Sequence, residues 1–256
     1  MHKRIFKLLL FFALTGMIRA QELKMAFIKE GSFVPLYGAT VKNPIVIKPF
    51  FIDVYPITNV EFLNFIKKNP YYTKSKIKRL FADESYLFYW KSDFDFGNNN
   101  PKSPVTNVSW FAAKKYCECQ GKRLPTMDEW EYVAMADEKR IDARTKTEFN
   151  KYILSWYEKS KTYENPIGKT FKNYWGVYDM HGLVWEWTAD FNSIFLSGES
   201  RKDKSEDKNL FCGGASVNAN DLMDYAAFMR YAFRASLKAQ YSTRNLGFRC
   251  ARTKPQ

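Results

Sequence analysis

Gly121-Lys-Arg-Leu-Pro-Thr-Met-Asp-Glu-Trp-Glu-Tyr132 carries a helix stop and a helix start in one short stretch. Gly121 closes a helix that Ser109 can cap and that runs through Trp110, Ala113, Tyr116 and Cys117. Thr126-Met127-Asp128-Glu129 opens the next and carries Trp130 and Val133 inward. Upstream, Thr58-Asn59-Val60-Glu61 is a capping-box pattern ahead of Phe62, Leu63, Phe65 and Ile66, which predicts a helix of about ten residues. Ile45-Val46-Ile47 and Phe50-Phe51-Ile52 read as short strands between Gly, Pro and Asn turns. Glu138 to Glu164 is charged and weakly periodic, and Ser197 to Asn209 reads as a polar loop. Helices and strands are too intermixed for regular strand–crossover alternation, and no internal repeat is visible. The pattern is α+β with much irregular loop.

The chain has 256 residues, 46% hydrophobic and 18% aromatic, with 12 Gly and 10 Pro, which excludes a disordered, collagen-like or low-complexity protein. A chain of this size buries roughly 70–75% of its unfolded surface, so a large core is available. The first twenty residues differ from the rest. Lys3, Arg4 and Lys7 precede the apolar run Leu8 to Ala13, and Ile18-Arg19-Ala20 ends on a small residue before Gln21-Glu22. That is the layout of a secretory signal peptide, with residues 1–20 as leader and 21–256 as the mature domain. No other stretch reaches the ~18–20 apolar residues of a membrane span. A periplasmic or secreted protein without a membrane span is expected, and a monomer.

The whole chain carries 40 Lys+Arg against 27 Asp+Glu; removing Lys3, Arg4, Lys7 and Arg19 with the leader leaves 36 against 27, or +9. The basic residues are scattered apart from short clusters such as Lys74 to Arg79, and no recognition helix or RNA-binding signature accompanies them. No nucleic-acid partner is expected; the surplus reads as a solvated surface suited to an acidic partner.

Export gives the four cysteines meaning. An even count in an oxidising compartment favours disulfides, and four allow three pairings. Cys117 and Cys119 lie two apart in the Ser109 helix, so their side chains point to opposite sides and take different partners. Cys-x-Cys with distant single cysteines is poor spacing for zinc. The mature chain holds one histidine, His181, too few for a three-His or two-His-one-carboxylate iron site, and His181 reads as a loop-packing residue.

Five segments, taken together, resemble the formylglycine-generating enzyme, or sulfatase-modifying factor, family. They are Phe51-Ile-Asp-Val-Tyr-Pro-Ile-Thr-Asn-Val-Glu-Phe62, Pro104 to Cys117, Gly121 to Tyr132, Tyr178-Asp-Met-His-Gly-Leu-Val-Trp-Glu-Trp-Thr188, and Asn245-Leu-Gly-Phe-Arg-Cys-Ala251. The likeness runs in the family's order from about Met25 to Arg252. It implies a single domain that elaborates the C-type lectin fold with little regular secondary structure. It also implies a disulfide between Cys117 and Cys250, which would close a loop worth about 4–5 kcal/mol. Cys119 and Cys212 have no reliable counterpart in the family; a second disulfide or two buried thiols is expected of them, and Cys212 as a displaced thiolate near the ancestral site is the alternative.

Oxidising members resemble one another in a Gly-Gly-Ser stretch followed by two cysteines that hold copper(I) and the substrate thiol. The matching stretch here is Gly213-Gly214-Ala215-Ser216-Val217-Asn218, with Asn218 at the first cysteine position and Met223 or Ala226 at the second. No cysteine lies between Cys212 and Cys250. Soft thiolates select copper(I), and an amide or thioether does not replace two of them, so copper is not expected. The family's Trp-Glu-Trp loop resembles a calcium cage, which maps onto the side chains of Asp179 and Glu186 and the carbonyls of Gly182 and Val184. Leu183 stands where relatives carry Asn, and a second calcium site found in some members has no match in 138–164.

Three functions follow from the resemblance. The favoured one is an exported accessory or maturation protein that binds a protein or small-ligand partner without copper chemistry; Asp224 to Arg234 resembles most the cysteine-lacking members associated with copper nitrite reductases. The second is an oxidoreductase using the same cleft with cysteine-independent chemistry, for which Glu186, Tyr225, Tyr231 and Arg234 are candidate polar groups. The third is a lectin-like carbohydrate or peptide binder, since Trp and Tyr suit stacking.

Overall fold

The computed structural model describes residues 25–35, 44–192 and 222–255. The predicted leader, the polar loop at 197–209, Cys212 and the 213–218 stretch lie outside the described residues, as does the side chain of Met223. Strand β1 (Met25–Ile28) pairs antiparallel with β4 (Phe50–Asp53), Ile28 opposite Phe50, and β4 pairs on its other side with β7 (Ala251–Thr253), Ile52 opposite Ala251. Strands β2 (Gly31–Phe33) and β3 (Ile45–Ile47) form a separate antiparallel pair. Both strands expected from the Ile45 and Phe50 runs are present.

The three helices read from their caps are also present. Helix α1 (Asn59–Lys68) starts at Thr58, whose hydroxyl accepts from Glu61 N while the Glu61 carboxylate accepts from Thr58 N at 3.0 Å. Helix α2 (Trp110–Cys119) starts at Ser109, whose Oγ accepts from Ala112 N, and ends before Gly121 at φ +66°. Helix α3 (Met127–Ala134) starts at a second capping box, Thr126 with Glu129, and buries Trp130 and Val133. Two more α-helices lie among the described residues. Helix α4 (Thr147–Tyr157) lies in the segment that reads as weakly periodic; its N-cap, Lys146, makes no side-chain cap bond, so the start signal is missing, and packing holds it instead. Phe149 and Ile153 bury one face of α4 against Ala226 of α5 (Leu222–Ala235).

The main core lies between α1, α2 and the closing strand region. Phe62, Tyr116 and Phe248 meet ring to ring, with centroids 5.3 to 6.2 Å apart, and Trp90 and Trp187 close the cluster. Burying each such ring contributes roughly 2–3 kcal/mol. The Cys117–Cys250 disulfide bonds α2 to the residue before β7, with Cα atoms 5.6 Å apart. A second core packs Ile28, Ile52, Trp130, Val133 and Met180 together. Parallel pairing of β5 (Trp185–Glu186) with β6 (Leu246–Gly247) then lays the Tyr178–Thr188 loop against the chain's closing segment. Gly247 lets the closing segment also approach the backbone at Val105, whose carbonyl would stand 2.7 Å from a Cβ there. Among the described residues no helix is long and apolar enough to cross a membrane.

Candidate functional site

The Tyr178–Thr188 loop is held by its own buried polar groups. Asp179 adopts the left-handed region at φ +58° and is fully buried. Its carboxylate accepts from Gly168 N at 2.5 Å and Thr170 N at 3.0 Å, and its own N–H donates to Thr170 Oγ1. Burial raises the Asp179 pKa above its ordinary value, although those two N–H donors act to lower it. Gly182, at φ +131°, is the tightest point: a Cβ there would stand 2.7 Å from the Trp156 ring. Thr162 Oγ1 donates to the Leu183 carbonyl at 2.8 Å, while Trp187 Nε1 donates to the Val108 carbonyl. Leu183, in the place of the usual Asn, is fully buried.

Arg249 gathers this loop onto β4. Its fully buried guanidinium forms a fork on Glu186, Nε to Oε2 at 2.7 Å and Nη2 to Oε1 at 2.8 Å. It also donates to the carbonyls of Asp53, Val54, Tyr178 and Asp179 at 3.0 to 3.4 Å. Trp130 Nε1 adds a bond to Glu186 Oε2 at 2.9 Å. This bears on the calcium expectation. The Asp179 carboxylate is engaged by backbone N–H groups, and both Glu186 oxygens are engaged by a cation already in place. A second positive centre at that spot would meet Arg249 directly, so the set Asp179, Gly182, Val184 and Glu186 does not fit calcium as it stands.

A second charged cluster lies behind the loop. Arg230 forks onto Glu131, Nε to Oε1 at 3.0 Å and Nη2 to Oε2 at 2.8 Å, and Arg234 Nη1 reaches Oε1 at 2.7 Å. All three side chains are buried. Burial opposes the charged carboxylate, but Arg230 and Arg234 overcome it and hold Glu131 down at about 2. Burial and the neighbouring Arg230 hold His181 down at about 3, so its ring is neutral; Nε2 contacts the Ala134 carbonyl, and the residue packs the loop as expected.

Between the clusters lies a cavity of about 240 Å³. Arg230, Arg234, Glu186 and the backbone from Met180 to Trp185 line it. Of the polar groups proposed from sequence, Glu186 and Arg234 thus share a wall. Tyr231 is buried beside a different, smaller hollow, and Tyr225 is 38% exposed. Cys119 departs from the second-disulfide or buried-thiol expectation: it is free and exposed, with Asn69 Oδ1 at 3.8 Å. The two-residue offset that buries Cys117 turns Cys119, the last residue of α2, to the solvent side. Sequence reasoning overlooked Glu131, Arg230 and Arg249. An acid between Trp130 and Tyr132 on an inward helix face was the available signal for Glu131; no spacing pairs Arg249 with Glu186 across so much chain.

Residues 15–254 match the family described as "Sulfatase-modifying factor enzyme 1-like domain", a match that begins inside the stretch read as leader. The chain is similar to "Inactive C-alpha-formylglycine-generating enzyme 2" of Bos taurus, 27% identical over 81% of this chain and 78% of the relative. It is also similar to "Formylglycine-generating enzyme" of Bos taurus, 28% identical over 84% of this chain and 68% of the relative. Among solved structures, PvdO from Pseudomonas aeruginosa shares the fold, with a TM-score of 0.52 at 21% identity over 90% of this chain and 94% of that one. With nearly its whole length matched, and with the loop, disulfide and α+β architecture in place, this chain belongs to the sulfatase-modifying factor enzyme 1-like family.

Proposed function

We propose that this chain is an exported, non-oxidising member of its family that works as an accessory or maturation protein by binding a partner. One observation carries the reading: the thiols that copper(I) chemistry requires are not in the required place. Cys117 and Cys250 are spent on a disulfide, and positions 213–249 contain no cysteine. Cys119 faces solvent at the end of α2, well removed in sequence from the 213–226 stretch where the family's pair falls. That leaves Cys212, outside the described residues, as the one thiol next to that stretch, and a single soft donor does not hold copper(I) with a substrate thiol beside it. The similarity to a relative whose name records it as inactive accords with this reading, and the likeness of Asp224 to Arg234 to members tied to copper nitrite reductases supplies the partner class.

The test uses the purified exported protein. Its metal content is measured after loading with copper(I), and it is incubated with a cysteine-containing sulfatase peptide whose mass reports conversion to formylglycine. No bound copper and no conversion are expected. Stoichiometric copper lost on Cys119→Ser or Cys212→Ser would overturn the proposal. Sequencing the mature N-terminus checks the cleavage after Ala20, and co-purification with a copper nitrite reductase checks the partner.

A further inference from the structure

Among the described residues, the cavity beside the Trp-Glu-Trp loop is lined by more basic than acidic side chains. Among the described residues, the exposed Lys159 and Lys161 and the buried Arg230 and Arg234 line it against one carboxylate, Glu186, and Arg249 neutralises that carboxylate. Glu131, behind the wall, is shared by Arg230 and Arg234, so one acid faces two guanidiniums. Arg234 is 3% exposed. Among the described residues its guanidinium makes one hydrogen bond, Nη1 to Glu131, although it has five N–H donors. Its other contact is with a ring: the guanidinium carbon lies 4.7 Å from the Trp130 centroid. A buried cation so lightly partnered is costly unless something else completes it.

Aromatic side chains share the remaining walls with Ser160, Thr162, Asn245 and the Met180–Val184 backbone. Trp130, Trp156 and Trp185 line the cavity, and Trp185 is fixed by stacking on Phe233 at 4.7 Å and against Tyr157 at 5.0 Å. Lys159 lies over the Trp156 ring at 4.1 Å. An apolar cavity of about 150 Å³ accepts a benzene ring. The larger volume here has room for a ring and an acid group. We propose that this cavity binds a small aromatic carboxylate, its acid group on Arg234 and its ring among the indoles. The site is independent of copper, so the proposal stands or falls apart from the non-oxidising reading.

The probes are benzoate and phenylacetate, with benzyl alcohol as the uncharged control, read by thermal unfolding and tryptophan fluorescence of the full exported chain. Benzoate or phenylacetate is expected to raise Tm saturably, by roughly 5–10 °C at about 100-fold excess over Kd, while benzyl alcohol leaves it unchanged. Arg234→Gln should weaken binding at least about tenfold, and Arg234→Lys should keep part of it. If Arg234→Gln does not fold, the comparison of acid and alcohol on the unaltered protein decides. No response to either acid, or an equal response to benzyl alcohol, would overturn the proposal.

Discussion

Replacing Glu131 by Gln keeps the shape of the buried cluster and removes the one negative charge it holds among the described residues. The structure gives the cost by two routes. Glu131 sits at about 2 against an ordinary 4.5, and each pKa unit is about 1.4 kcal/mol, so the charged carboxylate contributes on the order of 3 kcal/mol at neutral pH. Removing one partner from a buried ion pair independently costs about 3–5 kcal/mol, because the other charge stays buried without its counterion. Side-chain exposures of 4% for each arginine and 8% for Glu131 justify the buried figure over the surface one. The sign in pH follows from the lowered pKa. The contribution is full above about 4.5, and it is lost as pH falls from there toward 2. Urea unfolding of the native chain and Glu131→Gln at neutral pH should therefore differ by about 3 kcal/mol, with the difference shrinking as the acid is protonated. A difference under about 1 kcal/mol, or one that does not change with pH, would refute the reasoning.

Reducing the Cys117–Cys250 disulfide should lower stability by about 5 kcal/mol, from a closed loop of 133 residues, as read by urea midpoints with and without reductant; coincident midpoints would contradict the loop-closure account. Gly182→Ala should cost about 2 kcal/mol or more, since alanine would meet both the positive φ and the Trp156 ring, and an unchanged Tm would show that the ring yields freely. Calcium addition or chelation should leave Tm unchanged, because Arg249 already engages Glu186; a saturable rise with calcium would restore the calcium cage and require Arg249 to move.

What was legible in the sequence was what short-range chemistry writes there. Thr58, Ser109 and Thr126 each announce a helix because a side-chain oxygen within three residues satisfies an N-terminal N–H, a fact local enough to read from a string of letters. Helix α4 has no such oxygen, and its existence depends on Phe149 and Ile153 finding Ala226 far along the chain. The disulfide came from resemblance alone, since four cysteines leave three pairings open. Glu186 was legible as a buried oxygen donor of the Trp-Glu-Trp loop, but Arg249 as its partner was not. Arg249 reaches six oxygens there because the closing segment lies against both β5 and β4, an arrangement no local pattern encodes.

The two arginine clusters differ in a way that stability alone does not explain. At Glu186 a single guanidinium meets a single carboxylate and spends its remaining donors on backbone carbonyls, so charge and hydrogen bonds both close. At Glu131 the fork from Arg230 already satisfies the carboxylate, yet Arg234 is buried there as well, adding a desolvated charge with one hydrogen bond among the described residues. The Arg230 fork alone pairs the carboxylate one to one, so Arg234 adds the desolvation of a second cation without a second carboxylate among the described residues. The second arginine is therefore best understood through the cavity it lines, where an incoming carboxylate would supply the missing negative charge. On that account Arg234→Met, which leaves Glu131 paired with Arg230, should cost much less than Glu131→Gln while abolishing the benzoate response. Loss of stability equal to that of Glu131→Gln would instead make Arg234 a structural partner of the carboxylate.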